Sequence, residues 1–541
     1  MSEGSTDQPP DLPLEVLIRI FGYLNRGALF QVLQVSRIWY RAAQDNLLWK
    51  GLFIKDFKPR VKTIRDESSS WQAEYQRLCR RVPNIHWQTL KQHSNEVLHV
   101  RFSHSGDQLV SCSKDNRFIV WTLNIDQFSP HFVQDMTVYE WRHTWASQFN
   151  STDSLLMVSG VVSEVNGEIA IFRTSSAKVD KGYSFLCRII NNPYGNKRTC
   201  FFGVPNHCYS FYFHFLDMLG CWCHEKYFLS STLQLHSEDA GIVTSVWLCQ
   251  AEDTNNADDD SQEIHLANSL KELFKFKNNV LIFARFLQIF SRKNLQEPEG
   301  LWLSNNISQH QQMEEIQVEE QELEVFDEHH DLIDEASAHL KDEQHCLVFI
   351  CSDKTIVPHQ IGFQRLSVED TMSSHQPSLW TSPEKVIEMN GHIVGIALSP
   401  NQQELLVNVR SWPENCVISN MEPPCISNQI ELKTICLTTL SIIPNKTYSG
   451  HQGFTASEEA FYLYLDVSDN FVGSGSEDHF GNIWDRHYGC RVGKLAHDAC
   501  VNAVAFHPVT EAVAATASDD FTIKLWRTAE SIPVMMNNLV E

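Results

Sequence analysis

The sequence predicts a small all-α unit at the N-terminus followed by a large all-β domain with long loop insertions. Three observations predict it: apolar residues at helical spacing between Asp11 and Phe53, a change to short β-rich runs near residues 82–85, and a His, hydroxyl, Asp, Trp pattern that recurs at fixed spacing. At 541 residues the chain exceeds one ordinary domain, so one small module and one large one fit its length.

The helical unit comes first. Asp11 can cap a helix that Pro13 starts, because proline's fixed φ and missing N–H do no harm in a first turn. Leu17, Ile20, Phe21 and Leu24 then recur at i, i+3, i+4 and i+7, an apolar stripe on one face. Asn25 restarts the chain. Leu29, Val32 and Leu33 mark a second helix, Val35, Ile38 and Trp39 a third, and Asp45 opens a fourth with Leu48 and Trp49. Four short helices over about forty residues hide too little surface to bury all these side chains among themselves. A partner surface is implied.

Leu12-Pro13 before Glu15, Val35-Ser36 with Trp39 three residues on, and the Leu48-Trp49 pair resemble the landmarks of the F-box family. That resemblance implies docking on the Skp adaptor of a cullin-RING ubiquitin ligase, through Leu12, Pro13, Leu17, Ile20, Phe21, Leu24, Trp39, Leu48 and Trp49. The unit is expected to span residues 11–57. Trp71, Tyr75 and Leu78 keep a helical period until Pro83 ends it, so 58–84 reads as a helical connector and 85–530 as the repeat domain.

In that domain His93, Ser111, Asp115 and Trp121 return as His451, Ser474, Asp478 and Trp484, and again as His497, Thr516, Asp520 and Trp526. Each time the hydroxyl residue precedes Asp by four and Asp precedes Trp by six. The chemistry is a hydrogen-bond relay, in which Trp N–H and His need buried partners that the hydroxyl and Asp provide. These histidines and aspartates are therefore structural, not catalytic. The pattern resembles the WD-repeat family, which implies a β-propeller. Residues 147–172 and 391–412 read as blades without the full set, and Trp247 and residues 346–363 supply further strands. The count is seven blades, with eight the alternative.

Charge and composition bound the function. A formal net charge of -24, with no Lys/Arg cluster, argues against nucleic acid or an anionic membrane as the main partner. No apolar leader and no membrane-length apolar run is present, so a cytoplasmic protein is expected, with the nucleus as the alternative. An acidic loop at 250–263 and a longer acidic insert at 294–345, expected to be disordered, interrupt the repeats. An atypical insert at 195–216 contains Cys200, His207, Cys208 and His214, but two are adjacent and no CxxC pair exists, so no metal site and no cofactor are expected. Its Phe, Tyr, Cys and Ser content, all pyrimidine-rich codons, fits a translated intron end.

F-box, helical connector and interrupted WD propeller together, with Asp485-Arg486-His487-Tyr488 after Trp484 and the stretch NGHIVGIALSPN, resemble the family that joins an F-box to a WD-repeat propeller. The fold class is thus a small all-α F-box followed by an all-β WD-repeat propeller. The resemblance implies a non-catalytic substrate receptor working with the Skp adaptor, a cullin scaffold and a RING-box protein. Some members also engage the cullin-four adaptor through a Trp-Asp-x-Arg box, here displaced by one residue at Trp484, Asp485 and Arg486. A scaffold assembling signalling or cytoskeletal partners without ubiquitin transfer is the alternative. No Ser-His-Asp set, phosphate loop or catalytic Cys context points to an enzyme.

The expected target face holds Lys114, Glu477 and Asp519 before the relay aspartates, with Leu98 and Asn502 early in the first strands. One cation facing two carboxylates is a poor cradle for phosphate, which needs several convergent donors. An unmodified or basic segment is the expected target.

Overall fold

The computed structural model describes residues 12–124, 127–162, 167–174, 182–191, 220–235, 242–252, 268–278, 285–291, 345–355, 357–366, 382–414, 416, 418, 422–457 and 462–531. The atypical insert at 195–216, residues 253–263 of the acidic loop and residues 294–344 of the longer acidic insert lie outside these, as does Asp11.

The N-terminal unit contains α1 (Leu14–Phe21), α2 (Arg26–Val32), α3 (Arg37–Ala43) and α4 (Asn46–Phe57). Pro13 sits one residue before the first helix, at its N-cap, without a side-chain cap bond. The next three helices are capped as short polar side chains allow. Asn25 accepts from the Ala28 amide at 2.9 Å, Ser36 from Trp39 at 3.2 Å, and Asp45 from Leu47 and Leu48 at 2.9 and 3.1 Å. In the segment expected to be a helical connector only α5 (Trp71–Arg80) is α-helix. Residues 58–70 run along the propeller instead: the Arg60 amide donates to the Tyr488 carbonyl at 2.9 Å and His487 Nε2 meets the Thr63 carbonyl at 3.1 Å.

The all-β domain is a propeller of seven four-stranded antiparallel sheets among the described residues. Blades 1 to 6 take their strands in chain order from Val97–Asp135, His143–Asn191, Cys221–Asn278, Arg285–Glu388, Gly391–Gln452 and Leu465–Ala496. Blade 7 uses Val501–Phe506, Val513–Ser518 and Ile523–Arg527, and its outer strand is Ile85–Leu90, paired Leu90 to Ile523 and Ile85 to Arg527. The first strand after α5 thus closes the ring by pairing with the last.

Each sheet is covered on both faces by its neighbours, so its inner strands are largely buried, and Val501–Phe506 is buried at every position. Small residues sit where inner strands approach most closely. A Cβ on Gly395 would lie 2.3 Å from the Leu463 carbonyl oxygen of the next blade. The middle of the ring encloses a cavity of about 250 Å³ lined in part by His99, Tyr464 and Asp466.

One apolar cluster runs from the helical unit into blades 6 and 7, joining Phe53, Trp71, Tyr75 and Leu78 to Phe471, Tyr488, Phe506 and Trp526. At its centre Tyr488 is enclosed, 4.7 Å from the Phe53 ring and 6.2 Å from Trp71. Beside it Arg77 Nη2 lies 2.6 Å from Asp485 Oδ2 and 3.0 Å from Glu74 Oε2, both carboxylates being buried. Burial alone would raise the Glu74 carboxyl, but bonds from Arg77 and Ser68 outweigh it and hold it low.

Candidate functional site

The apolar residues of α1 divide between two faces. Leu17 and Phe21 are buried in the module's own core with Leu48 and Trp49, while Leu24 and Trp39 pack half-buried against it. The four buried side chains are held inside the chain, where Trp49 meets Tyr75 at 5.4 Å and Phe21 meets the half-buried Trp39 edge-on at 5.4 Å. This corrects their assignment to the adaptor surface. Leu12, Pro13 and Ile20 are the expected residues that remain exposed. Around them lie Leu14, Val16, Tyr23, Val35 and Ile38, with Tyr23 82% and Val35 59% exposed. The sequence carried a signal for this second face, since Val16, Ile20 and Tyr23 form their own i, i+4, i+7 stripe.

Two of the three relays close as expected from chemistry. His93 Nδ1 lies 2.9 Å from Asp115, its Nε2 2.8 Å from Ser111 Oγ, and Trp121 Nε1 donates to the same hydroxyl at 2.9 Å. In blade 7 the same contacts join His497, Asp520, Thr516 and Trp526 at 2.7–2.8 Å. Burial would raise the Asp115 and Asp520 carboxyls, yet hydrogen bonds and charge from their histidines pull both below the usual range.

The middle copy is not a relay. Trp484 Nε1 donates to the Ser449 carbonyl at 3.1 Å, His451 Nε2 meets Asn408 Oδ1 at 3.1 Å, and Asn408 Nδ2 donates to Ser474 Oγ at 2.8 Å. Asp478 accepts from the Phe480 amide at 3.3 Å within its own turn. The reason is chain length: His451 precedes Ser474 by 23 residues, against 18 and 19 in the true copies, and places His451 at the end of the outer strand of blade 5. Thr516→Val should leave two buried polar groups, Trp526 Nε1–H and His497 Nε2, without this partner at about 1–3 kcal/mol each. Ser474→Ala, which leaves Trp484 bonded and strands only Asn408 Nδ2, should cost about 1–3 kcal/mol in all, and chemical denaturation of the two variants compares them.

Lys114, Glu477 and Asp519 stand in the turns between second and third strands of blades 1, 6 and 7. Asp485 to Tyr488 occupy the turn between third and fourth strands, which antiparallel pairing puts at the opposite end of the sheet. Among the described residues the helical unit therefore packs at one end of the ring and leaves the other open. At that open end, however, the expected target residues are already engaged. Lys114 pairs with Glu96. Glu477 Oε2 accepts the Phe454 and Thr455 amides at 2.6 and 2.9 Å. Asn502 is buried and donates to the Val97 carbonyl and Asp519, and Leu98 is buried as well. Leu98 and Asn502 are thus corrected to packing positions, since the first strands they occupy are covered from both sides. Desolvation, with help from Glu96, raises the Asp519 carboxyl despite its Asn502 bond.

Trp484, Asp485 and Arg486 are also corrected. Trp484 and Asp485 are buried, and Arg486 is held by Glu404 at 2.9 Å and by the Ser468 carbonyl at 2.8 Å. Asp485 is enclosed between helical unit and propeller, while Trp484 and Arg486 are engaged between blades 5 and 6.

Among the described residues Asp353, His359 and Glu388 form one group with metal-ligating side chains. His359 Nδ1 lies 2.8 Å from Glu388 Oε1 and Nε2 lies 3.2 Å from Asp353 Oδ1. The carboxylates address opposite nitrogens of one ring, a bridged imidazole rather than three donors converging on an ion. Burial would raise Glu388, but the bonds and charge of His359 hold it at about 2.

No helix among the described residues is long and apolar enough to cross a membrane. The F-box-like family model matches residues 9–55, and the model of the WD domain, G-beta repeat, matches 86–122 and 489–527, the two stretches where the relay closes. The human F-box/WD repeat-containing protein 5 is 30% identical over 99% of this chain and 97% of its own length. The mouse protein of the same name is 30% identical over 99% and 96%. An F-box/WD repeat-containing protein 7 from the fruit fly is 29% identical over 20% of the chain. With likeness running through both modules in the same order, the chain belongs to the F-box/WD repeat-containing protein 5 family.

Proposed function

We propose that this chain is the substrate-recognition subunit of a Skp–cullin–F-box type ubiquitin ligase. The F-box docks the Skp adaptor, and through it the cullin scaffold and RING-box protein, while the propeller holds protein targets for ubiquitination and proteasomal degradation. The chain itself is a non-catalytic adaptor acting in the cytoplasm. The observation that carries this reading is the exposed apolar face of Leu12, Val16, Ile20, Tyr23 and Val35 on a module whose core is already packed. Its arrangement supports the reading too, because the F-box and the open end of the ring lie at opposite ends of the same blades.

Leu12→Glu with Ile20→Glu tests it. Covering each of these side chains contributes roughly 1.5–3 kcal/mol, so the pair should weaken adaptor capture by on the order of 100-fold or more. The thermal midpoint should not move, since neither residue is in the core. Capture of the Skp adaptor and cullin by the purified wild type, lost in the variant, is the expected outcome. A wild type that captures neither acts as a scaffold without ubiquitin transfer.

A further inference from the structure

We infer that the loop Gly453–Thr455, at the entry to blade 6, presents Phe454 as a preformed anchor for an extended lysine- or arginine-rich segment carrying an apolar side chain. The inference rests on the receptor reading and specifies what the open end of the propeller takes.

Phe454 is 54% exposed, yet the loop that carries it is fixed from two sides. Buried Arg410 donates to the Gly453 carbonyl at 2.8 Å, the Thr455 carbonyl at 2.6 Å and the Ser427 carbonyl at 3.0 Å. Opposite, Glu477 Oε2 accepts both loop amides and the Thr455 hydroxyl at 3.0 Å. A guanidinium stripped of water is expensive to keep, and its desolvation pulls the Arg410 pKa below the ordinary arginine value even with Glu477 nearby. Clamping carbonyls with a cation and amides with an anion around an apolar ring left in water does little for the fold. It does remove the ordering cost that a binding hot spot otherwise meets on association.

The surroundings select the partner by charge. Glu477 touches the loop itself, and Asp519 stands in the corresponding turn of blade 7, where its amide donates to the Cys500 carbonyl at 3.0 Å. Lys114, in the matching turn of blade 1, is paired with Glu96. A second ring, Phe521, is 44% exposed in the matching turn of blade 7, where its φ of 68° is one that L side chains rarely adopt. A phosphorylated segment would set its added negative charge against these carboxylates. Cationic side chains meet them favourably while an apolar neighbour covers Phe454.

The test uses the full chain against an array of short synthetic peptides of randomised composition, each made with and without phosphoserine. The expected result is enrichment of unphosphorylated peptides with Lys or Arg flanking an aliphatic or aromatic residue. Phe454→Ala should weaken the best of them by about 10- to 100-fold, with thermal midpoint and Skp-adaptor capture unchanged, and Glu477→Gln should reduce the salt dependence of binding. Preference for acidic or phosphorylated peptides, no enrichment, or basic peptides indifferent to Phe454→Ala overturns the inference. Phe454-dependent binding in a chain that fails to capture the adaptor upholds this surface while removing the receptor reading.

Discussion

Arg77→Met should destabilise the chain by about 3–5 kcal/mol, because it leaves two buried carboxylates without their cation. Asp485 is wholly buried and Glu74 nearly so, and the Arg77 guanidinium bridges them at 2.6 and 3.0 Å. Burial opposes the charge on Arg77, but Asp485 and Glu74 more than offset it and raise its pKa. Asp485→Asn alone should cost less, since an amide needs no counter-charge. The double variant Arg77→Met with Asp485→Asn should therefore recover part of the loss. Thermal unfolding followed by tryptophan fluorescence reads the result, since Trp49, Trp71 and Trp526 all belong to the joined core. An Arg77→Met protein melting like wild type would show that the seam does not hold the helical unit on the propeller.

Acid should unfold this protein well above the carboxylate range. Burial, followed by the charge of Arg101, holds His99 at about 3, and burial with Arg491 does the same for His451, against an ordinary 6.5. Their folded values lie below the unfolded one, so the unfolded chain binds protons more readily. Stability is then complete above about pH 6.5 and falls by about 1.4 kcal/mol per pH unit for each histidine as pH drops toward their folded values. At about pH 5 the two together remove roughly 4 kcal/mol. His497, lowered mainly by desolvation, acts in the same direction. Glu388, Asp115 and Asp520 have depressed values instead, so their contribution is lost only at lower pH. Denaturation midpoints measured from about pH 7.5 to 5 check the slope, and His451→Gln should flatten it. Equal stability at both ends would mean that these rings are not held neutral.

How much could be read from the chain depended on whether a contact was local. Helix starts at Asn25 and Asp45 were legible because a cap and its helix are neighbours in sequence. The relays of blades 1 and 7 were legible because their spacing is fixed by strand length. His451 imitated that spacing from Ser474 onward while a longer connection displaced the histidine itself. In α1 both apolar stripes were visible, but which one faces inward depends on Trp49 and Tyr75, residues no periodicity in α1 can report. Hidden altogether was the fate of Asp485 and Arg486, since their partners Arg77 and Glu404 lie 408 and 82 residues away.

The closing strand Ile85–Leu90 and the seam beside it also set an order of events on the ribosome. Phe53, Trp71 and Tyr75 leave the exit tunnel long before Tyr488, and Ile85–Leu90 waits for Ile523–Arg527. About 400 residues must be added in between, which at about 5–20 residues per second takes roughly 20–80 seconds. During that interval the helical unit shows water two apolar faces, one that its own chain will later cover and one that the described residues leave exposed. An early binder of Leu12, Ile20 and Tyr23 would cover the second of these while the nascent chain still lacks its final blades.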